Sequence, residues 1–226
     1  MATDRGITPR KENRKYTFTV EGETEQWYLN WLMERINESP DAKYTVSIAA
    51  KVQQSPKKHA KTVNPMSTPS ITHICDYESN DPAHVEKFQR ILSELKEANS
   101  IKGKKLTYSL GYSNFTFELW MILHLKSCNG TLTNRTQYLS FINSAYGEKF
   151  ENLDQYKHER NFKRCLSKLT LDHVRLAIER SRRIMSVNQQ NGMKPVEYKG
   201  FTYYTENPSL TIWEPVARIL SDCGLL

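Results

Sequence analysis

The stretch Tyr16-Thr17-Phe18-Thr19-Val20-Glu21-Gly22-Glu23-Thr24-Glu25 decides how the rest of the chain is read. Its β-branched and aromatic start predicts a strand over 16–20, which stops at Glu21-Gly22. From 23 to 35, Trp27, Leu29, Trp31 and Leu32, continued by Ile36, are spaced for a helix laid on a sheet. Pro40-Asp41 breaks that helix, and residues 44–50 form a second strand-like run. Residues 70–75 form a third, ending at Asp76. Asp81-Pro82 then opens a helix to about Ala98, with Val85, Phe88, Ile91, Leu92 and Leu95 on one stripe. Residues 106–110 read as a fourth strand and 113–125 as an apolar helix. This alternation predicts an α/β domain over 16–126, a mainly parallel sheet flanked by helices.

On either side of that domain the pattern changes. Residues 1–15 hold five Lys or Arg and two acids with little apolar content, and read as a basic flexible tail. Residues 127–226 read as a helical C-terminal region packed on the domain, with helices near 133–145, 159–167, 171–189 and 209–222 and a short strand or extended piece at 201–204. Within the domain, 51–69 has four Lys, three Pro and no acid, and reads as a long basic loop.

The whole chain has 226 residues, 32 Lys plus Arg against 25 Asp plus Glu, and a formal charge of +7, a balance that favours polyanionic partners. No apolar run approaches the roughly 18–20 residues of a membrane-spanning helix, and the start lacks the apolar core of a secretory signal. The expectation is no membrane and a cytoplasmic location. The four cysteines, Cys75, Cys128, Cys165 and Cys223, are isolated, without zinc-ligand spacing. No phosphate loop and no nucleophile elbow is present, which argues against an ATPase or a serine hydrolase within this chain.

Chemistry in open α/β sheets collects at the carboxyl ends of strands. Acids follow three of the predicted strands: Glu21, Glu23 and Glu25 after the first, Asp76 and Glu78 after the third, and Glu118 after the fourth. Glu21 and Glu25, four apart, share a face if the helix starts at Gly22, and Asp76 and Glu78, two apart, can point the same way. Such all-oxygen donors suit Mg²⁺ or Mn²⁺, and a metal pair would serve phosphodiester hydrolysis. Acids at helix starts are also ordinary partners of the helix dipole.

The motifs as a series resemble the RloB-like family, a Toprim-related group. They are Val20-Glu21-Gly22-Glu23-Thr24-Glu25 with Tyr28, His73-Ile74-Cys75-Asp76-Tyr77-Glu78, Ser113 to Trp120 with Leu123-His124, and Asn207-Pro208-Ser209-Leu210-Thr211. The resemblance implies a Toprim-like nuclease or nuclease-like effector of bacterial antiphage defence, of the abortive-infection kind, working beside an ABC-type or AAA-type ATPase. It implies that Glu21 is a metal ligand and general acid or base, that Glu25 is the second acid of the motif, and that Asp76 and Glu78 match an Asp-x-Asp pair. Catalysis would then rest on Glu21, Asp76 and Glu78, and metal binding on Glu21, Glu25, Asp76 and Glu78, with Glu118 as a supporting carboxylate. Two positions depart from the family form: Glu78 stands where Asp is usual, and Phe115 stands where the Ser-Asn-Pro-x-Phe-Glu form has proline.

Nine Lys or Arg between 157 and 183 face three acids. Lys157, Arg160, Lys163 and Arg164 are the nucleic-acid-binding candidates on the ground that phosphate contacts release counterions, and a solvated helix face would read the same. Trp27, Trp31, Trp120 and Trp213 read as core, and His124 as a structural histidine. Three functions stay open: a Mg²⁺- or Mn²⁺-dependent nuclease, a non-enzymatic nucleic-acid- or ATPase-binding regulatory subunit with a degenerate metal site, and a phosphoryl-transfer enzyme acting on a small molecule.

Overall fold

The computed structural model describes residues 11–128, 132 and 134–226. Four parallel strands, β1 (Asn13–Val20), β2 (Thr45–Val52), β3 (Ser70–Tyr77) and β4 (Thr107–Asn114), form a sheet in the order β2-β1-β3-β4. Helix α1 (Glu23–Glu38) links β1 to β2, α2 (Pro56–Thr62) lies between β2 and β3, and α3 (Pro82–Ala98) links β3 to β4. The chain leaves β1 toward β2 and returns on the other side of β1 as β3. The strand order therefore reverses between β1 and β3, and a crevice opens where their carboxyl ends diverge.

Both faces of the sheet are covered, as a parallel sheet requires. One core joins Phe18, Val20 and Ile74 to Tyr28, Leu29 and Leu32 of α1 and to helices of the second half of the chain. The other joins Ile71, Cys75 and Tyr77 to Ala60 of α2 and to Phe88, Ile91, Leu92 and Leu95 of α3. The period-2 alternation of β3 sorts its side chains between the two, so Asp76 falls on the α1 side with Ile74. Pro82 starts α3 because a first-turn residue needs no amide partner, and each fully buried Phe or Leu on its stripe contributes about 1.5–3 kcal/mol.

The second half comprises α4 (Glu118–Leu125), a short 3-10 helix (Arg135–Gln137), α5 (Tyr138–Tyr146), α6 (Leu153–Lys157), α7 (Glu159–Leu166), α8 (Leu171–Gln190), a hairpin of β5 (Val196–Tyr198) and β6 (Phe201–Tyr203), and α9 (Trp213–Asp222). Trp120, Ile142, Tyr156, Phe162, Ile178 and Leu220 from these helices belong to the same core as α1. The hairpin turn places Lys199 and Gly200 both at positive φ, the geometry that suits a two-residue connection.

Several boundaries differ from the sequence reading. β1 begins at Asn13, inside the stretch read as tail, because it runs in register with β2 from Asn13 opposite Thr45 and the Asn13 amide donates to Thr45 Oγ1 at 3.2 Å. The segment 51–69 is not all loop: it finishes β2 and contains α2, started by Ser55, whose Oγ accepts from the Lys58 amide at 3.2 Å, and by Pro56. Residues 113 and 114 finish β4, so the helix read over 113–125 starts only at Glu118. The helix read near 209–222 starts at Trp213, since Leu210 instead bridges Ser113 at the edge of the sheet. Residues 1–10 of the proposed tail and residue 133 lie outside the described residues.

Candidate functional site

β1 and β3 deliver two acids to the crevice. Glu21 leaves β1 and its Oε2 accepts the Asp76 backbone N–H at 3.1 Å, so the two strand ends are stitched together through a carboxylate. Asp76 Oδ1 accepts from Ser113 Oγ of the neighbouring strand at 3.2 Å. Glu25 sits in the first turn of α1, 4% exposed, with Oε2 accepting from Thr24 Oγ1 at 2.9 Å. Glu118 opens α4, wholly buried, bound by the Thr116 hydroxyl and facing Lys157 Nζ of α6 at 3.2 Å from Oε1. A cleft of about 270 Å³ is lined by Glu21, Gly22, Glu25, Trp27, Asp76 and Lys157. Gly22 stands close to this cluster, because a Cβ there would lie 3.0 Å from Glu25 Oε2 and the Glu25 carboxylate would have to shift by a few tenths of an ångström.

Burial without enough counter-charge governs the electrostatics. Asp76 is pushed well above the usual carboxylate range, first by burial and then by Glu25, Glu21 and Glu118, with Lys157 opposing. Burial also raises Glu25, against its own backbone N–H and Thr24, and Glu118 adds to the rise. Glu21 is raised by burial despite the Asp76 amide and Lys87. Burial alone would lower Lys157, yet Glu118, Asp76 and Glu25 leave it raised. Glu21 Oε1 and Glu118 Oε1 are buried and receive no hydrogen bond, with Lys87 Nζ at 3.6 Å from the first and Lys157 Nζ at 3.2 Å from the second. Surplus buried negative charge is costly unless a proton or a cation compensates it.

These groups fit a hard divalent cation in donor chemistry: the donors are all carboxylate oxygens, and one of the two without a hydrogen bond, Glu21 Oε1, lies at the cleft. Among the described residues, no set of three or more His, Cys, Asp or Glu side chains forms a ready-made ligand cage, so the carboxylates would have to swing inward to share an ion.

The structure brings Glu21, Glu25, Asp76, Glu118 and Lys157 together and places Glu78 beside them. Glu78 is held by Lys87 at 2.5 Å, His84 at 3.5 Å and Arg135 at 3.8 Å. Burial would raise its pKa, but Lys87 foremost, with His84 and Arg135, brings it below the ordinary value. Lys87 therefore touches both Glu78 and Glu21, a bridging role that no sequence spacing announced. The basic strip separates similarly. Lys163 pairs with Glu159 at 2.6 Å and lines a different cleft with Trp31 and Glu34, while Arg164 pairs with Glu148 at 2.8 Å. Arg160 is exposed.

The distal Asn207-Pro208-Ser209-Leu210-Thr211 is scaffold for this crevice. Asn114, fully buried, donates to the carbonyls of Tyr204, Thr205 and Glu206 at 3.0–3.3 Å, accepts from the Ser209 hydroxyl, and its backbone N–H reaches Ser209 O at 2.9 Å. Asn114→Ala orphans these buried groups and should cost about 3 kcal/mol, read as a lowered midpoint in urea unfolding. Phe115, where the family form has proline, has φ 57° and donates its N–H to Tyr77 O at 2.7 Å. Proline is fixed near φ −65° and has no N–H, so Phe115→Pro is expected to destabilise this loop by about 2 kcal/mol or more, checked by the same unfolding curve. His124 is structural: Trp120 O at 2.9 Å fixes Nδ1 as the donor, which leaves Nε2 to accept from Tyr28 OH at 3.1 Å.

No curated protein and no solved structure matches the chain. One family model does, over residues 16–219, which takes in all but the first three residues of the sheet, all the clustered carboxylates, Lys157 and the Asn207–Thr211 scaffold. The chain belongs to the RloB-like protein family.

Proposed function

We propose that this protein is a Toprim-like, Mg²⁺- or Mn²⁺-dependent phosphodiester hydrolase, a nuclease of antiphage defence that acts in the cytoplasm beside a partner ATPase. The observation that carries the reading is the surplus of buried carboxylates, Glu21, Glu25, Asp76 and Glu118 against Lys157 and Lys87, at the switch point of a parallel sheet. A bound divalent ion supplies a nucleophilic water at neutral pH and stabilises charge at the leaving oxygen. The chain's own groups do the rest. Glu21 Oε1, raised in pKa and free of hydrogen bonds, is placed to accept or return a proton, Lys157 Nζ to neutralise a phosphate oxygen, and Asp76 and Glu25 to hold the ion. The ATPase partner and the defence setting rest on the family resemblance.

A second reading, a non-catalytic subunit with a degenerate site, is favoured by Lys87, Arg135 and His84, which already engage Glu78. A cleavage assay on single- and double-stranded DNA, RNA and tRNA with Mn²⁺, with and without the neighbouring ATPase, separates the two. Cleavage stopped by EDTA and by Glu21→Gln supports the enzyme. Cleavage that persists in both, or that never appears with or without the ATPase, overturns it.

A further inference from the structure

A second cleft opens from the carboxylate centre on the opposite side of the sheet from α1. It has a volume of about 570 Å³, the size of a ligand site, and is lined by the end of β2, by α2 and by α3. Gln53 N–H donates to Val20 O at 2.8 Å, which keeps the end of β2 against the residue that precedes Glu21, and Glu21 and Lys87 form a wall shared with the carboxylate centre.

The charges in this cleft are arranged by its neighbours. Glu94 of α3, itself in the lining, accepts from the Ser55 hydroxyl, and Glu97 takes Lys57 at 2.5 Å, so both acids are engaged by the start of α2. Lys58 and Arg90, both exposed and both lining the cleft, are left with no ion pair among the described residues. The C-terminal end of α2 is pinned by Lys104 Nζ, which donates to the carbonyls of Ala60, Lys61 and Val63 at 2.6–2.8 Å. Two unpaired cations and one shared lysine, on helices pinned to each other, form a polyanion site leading directly to Glu21. By contrast, Lys163 and Arg164 of the α7 strip already have their charges met by Glu159 and Glu148.

Resting on the nuclease reading above, we infer that this α2–α3 cleft is the subsite that holds the phosphates flanking the scissile bond. The substrate is a single-stranded polynucleotide entering past Lys58 and Arg90. A single strand suits the site because the reacting groups lie in a cleft of only about 270 Å³, into which one chain can be drawn.

The test measures anisotropy of a 5′-labelled 12-nucleotide single strand with the full chain in EDTA, across a salt series. The double variant Lys58→Glu/Arg90→Glu should weaken binding about 30-fold at low salt and flatten the slope of log K against log salt by about 1.4, the value for two lost phosphate contacts. Thermal unfolding of the same variant should match wild type, since both side chains are exposed. Unchanged affinity in this variant, absence of binding by wild type, or a loss confined to Arg160→Glu/Lys163→Glu overturns the subsite. A Mn²⁺-induced rise in the melting temperature of wild type is read in parallel. If it persists while the subsite fails, only the subsite is wrong, and if wild type shows none, the metal-dependent reading fails on its own.

Discussion

Asp76→Asn should lower divalent-dependent cleavage by about 10³-fold and, in the same preparation without metal, make the protein harder to unfold. The two effects have one cause. Asp76 is buried with Glu25, Glu21 and Glu118 around it, and Lys157 and Lys87 offset them only in part, so its charge costs free energy in the empty fold. An isosteric amide keeps the packing and removes the repulsion, and a gain of about 1–3 kcal/mol in EDTA is the expected size. The same charge is what would hold a cation, and losing several kcal/mol of transition-state stabilisation corresponds to the stated fall in rate. Urea unfolding in EDTA and initial rates in Mn²⁺ check the two halves. Destabilisation in EDTA would mean that Asp76 serves mainly as the acceptor for Ser113 Oγ.

The second large effect concerns pH. His73 and His124 are fully buried and their pKa values fall to about 3, for both through burial first. The unfolded chain accepts a proton at each below the ordinary value of 6.5, while the folded chain refuses it. Their contribution is therefore full above about pH 6.5 and drains as pH falls toward about 3, at about 1.4 kcal/mol per pH unit for each histidine. The raised carboxylates act in the opposite sense, since the folded state gains a proton more readily and is relieved as pH falls through their folded pKa values. The difference between wild type and His73→Asn isolates the histidine, because the carboxylates are common to both. That difference should shift in favour of the variant by about 3 kcal/mol between pH 7 and pH 4.5 in urea unfolding series. A difference independent of pH would show that His73 takes its proton without unfolding.

How much of this was legible beforehand follows from where the signals reside. The strand ending at Val20, the third strand, which runs on to Tyr77, and the stripe of α3 are local patterns that the fold contains, and the acids at 21, 25 and 118 lie near one another in it. α2 was missed because a seven-residue helix with four exposed or half-buried basic side chains carries no apolar stripe, although Ser55-Pro56 was a start signal. The early start of β1 was hidden because Asn13, Arg14 and Lys15 look like tail residues, and only pairing with β2 makes them a strand. Neighbours across the sequence were invisible altogether. Lys87 lies nine residues from Glu78 and sixty-six from Glu21 yet touches both, and the ion pairs that occupy Lys163 and Arg164 depend on how α7 docks. The link between Asn114 and Ser209 was suggested only by motifs occurring in series, and its reason is the bridge that Leu210 makes with Ser113.

The central claim is that the buried carboxylates between β1 and β3 form a cation site. Calorimetric titration of Mn²⁺ into wild type and into Asp76→Asn at pH 7.5 tests it most directly. The account predicts saturable binding to wild type that is lost in Asp76→Asn, together with a Mn²⁺-dependent rise in melting temperature seen only in wild type. No binding to wild type, or equal binding to both proteins, would contradict it.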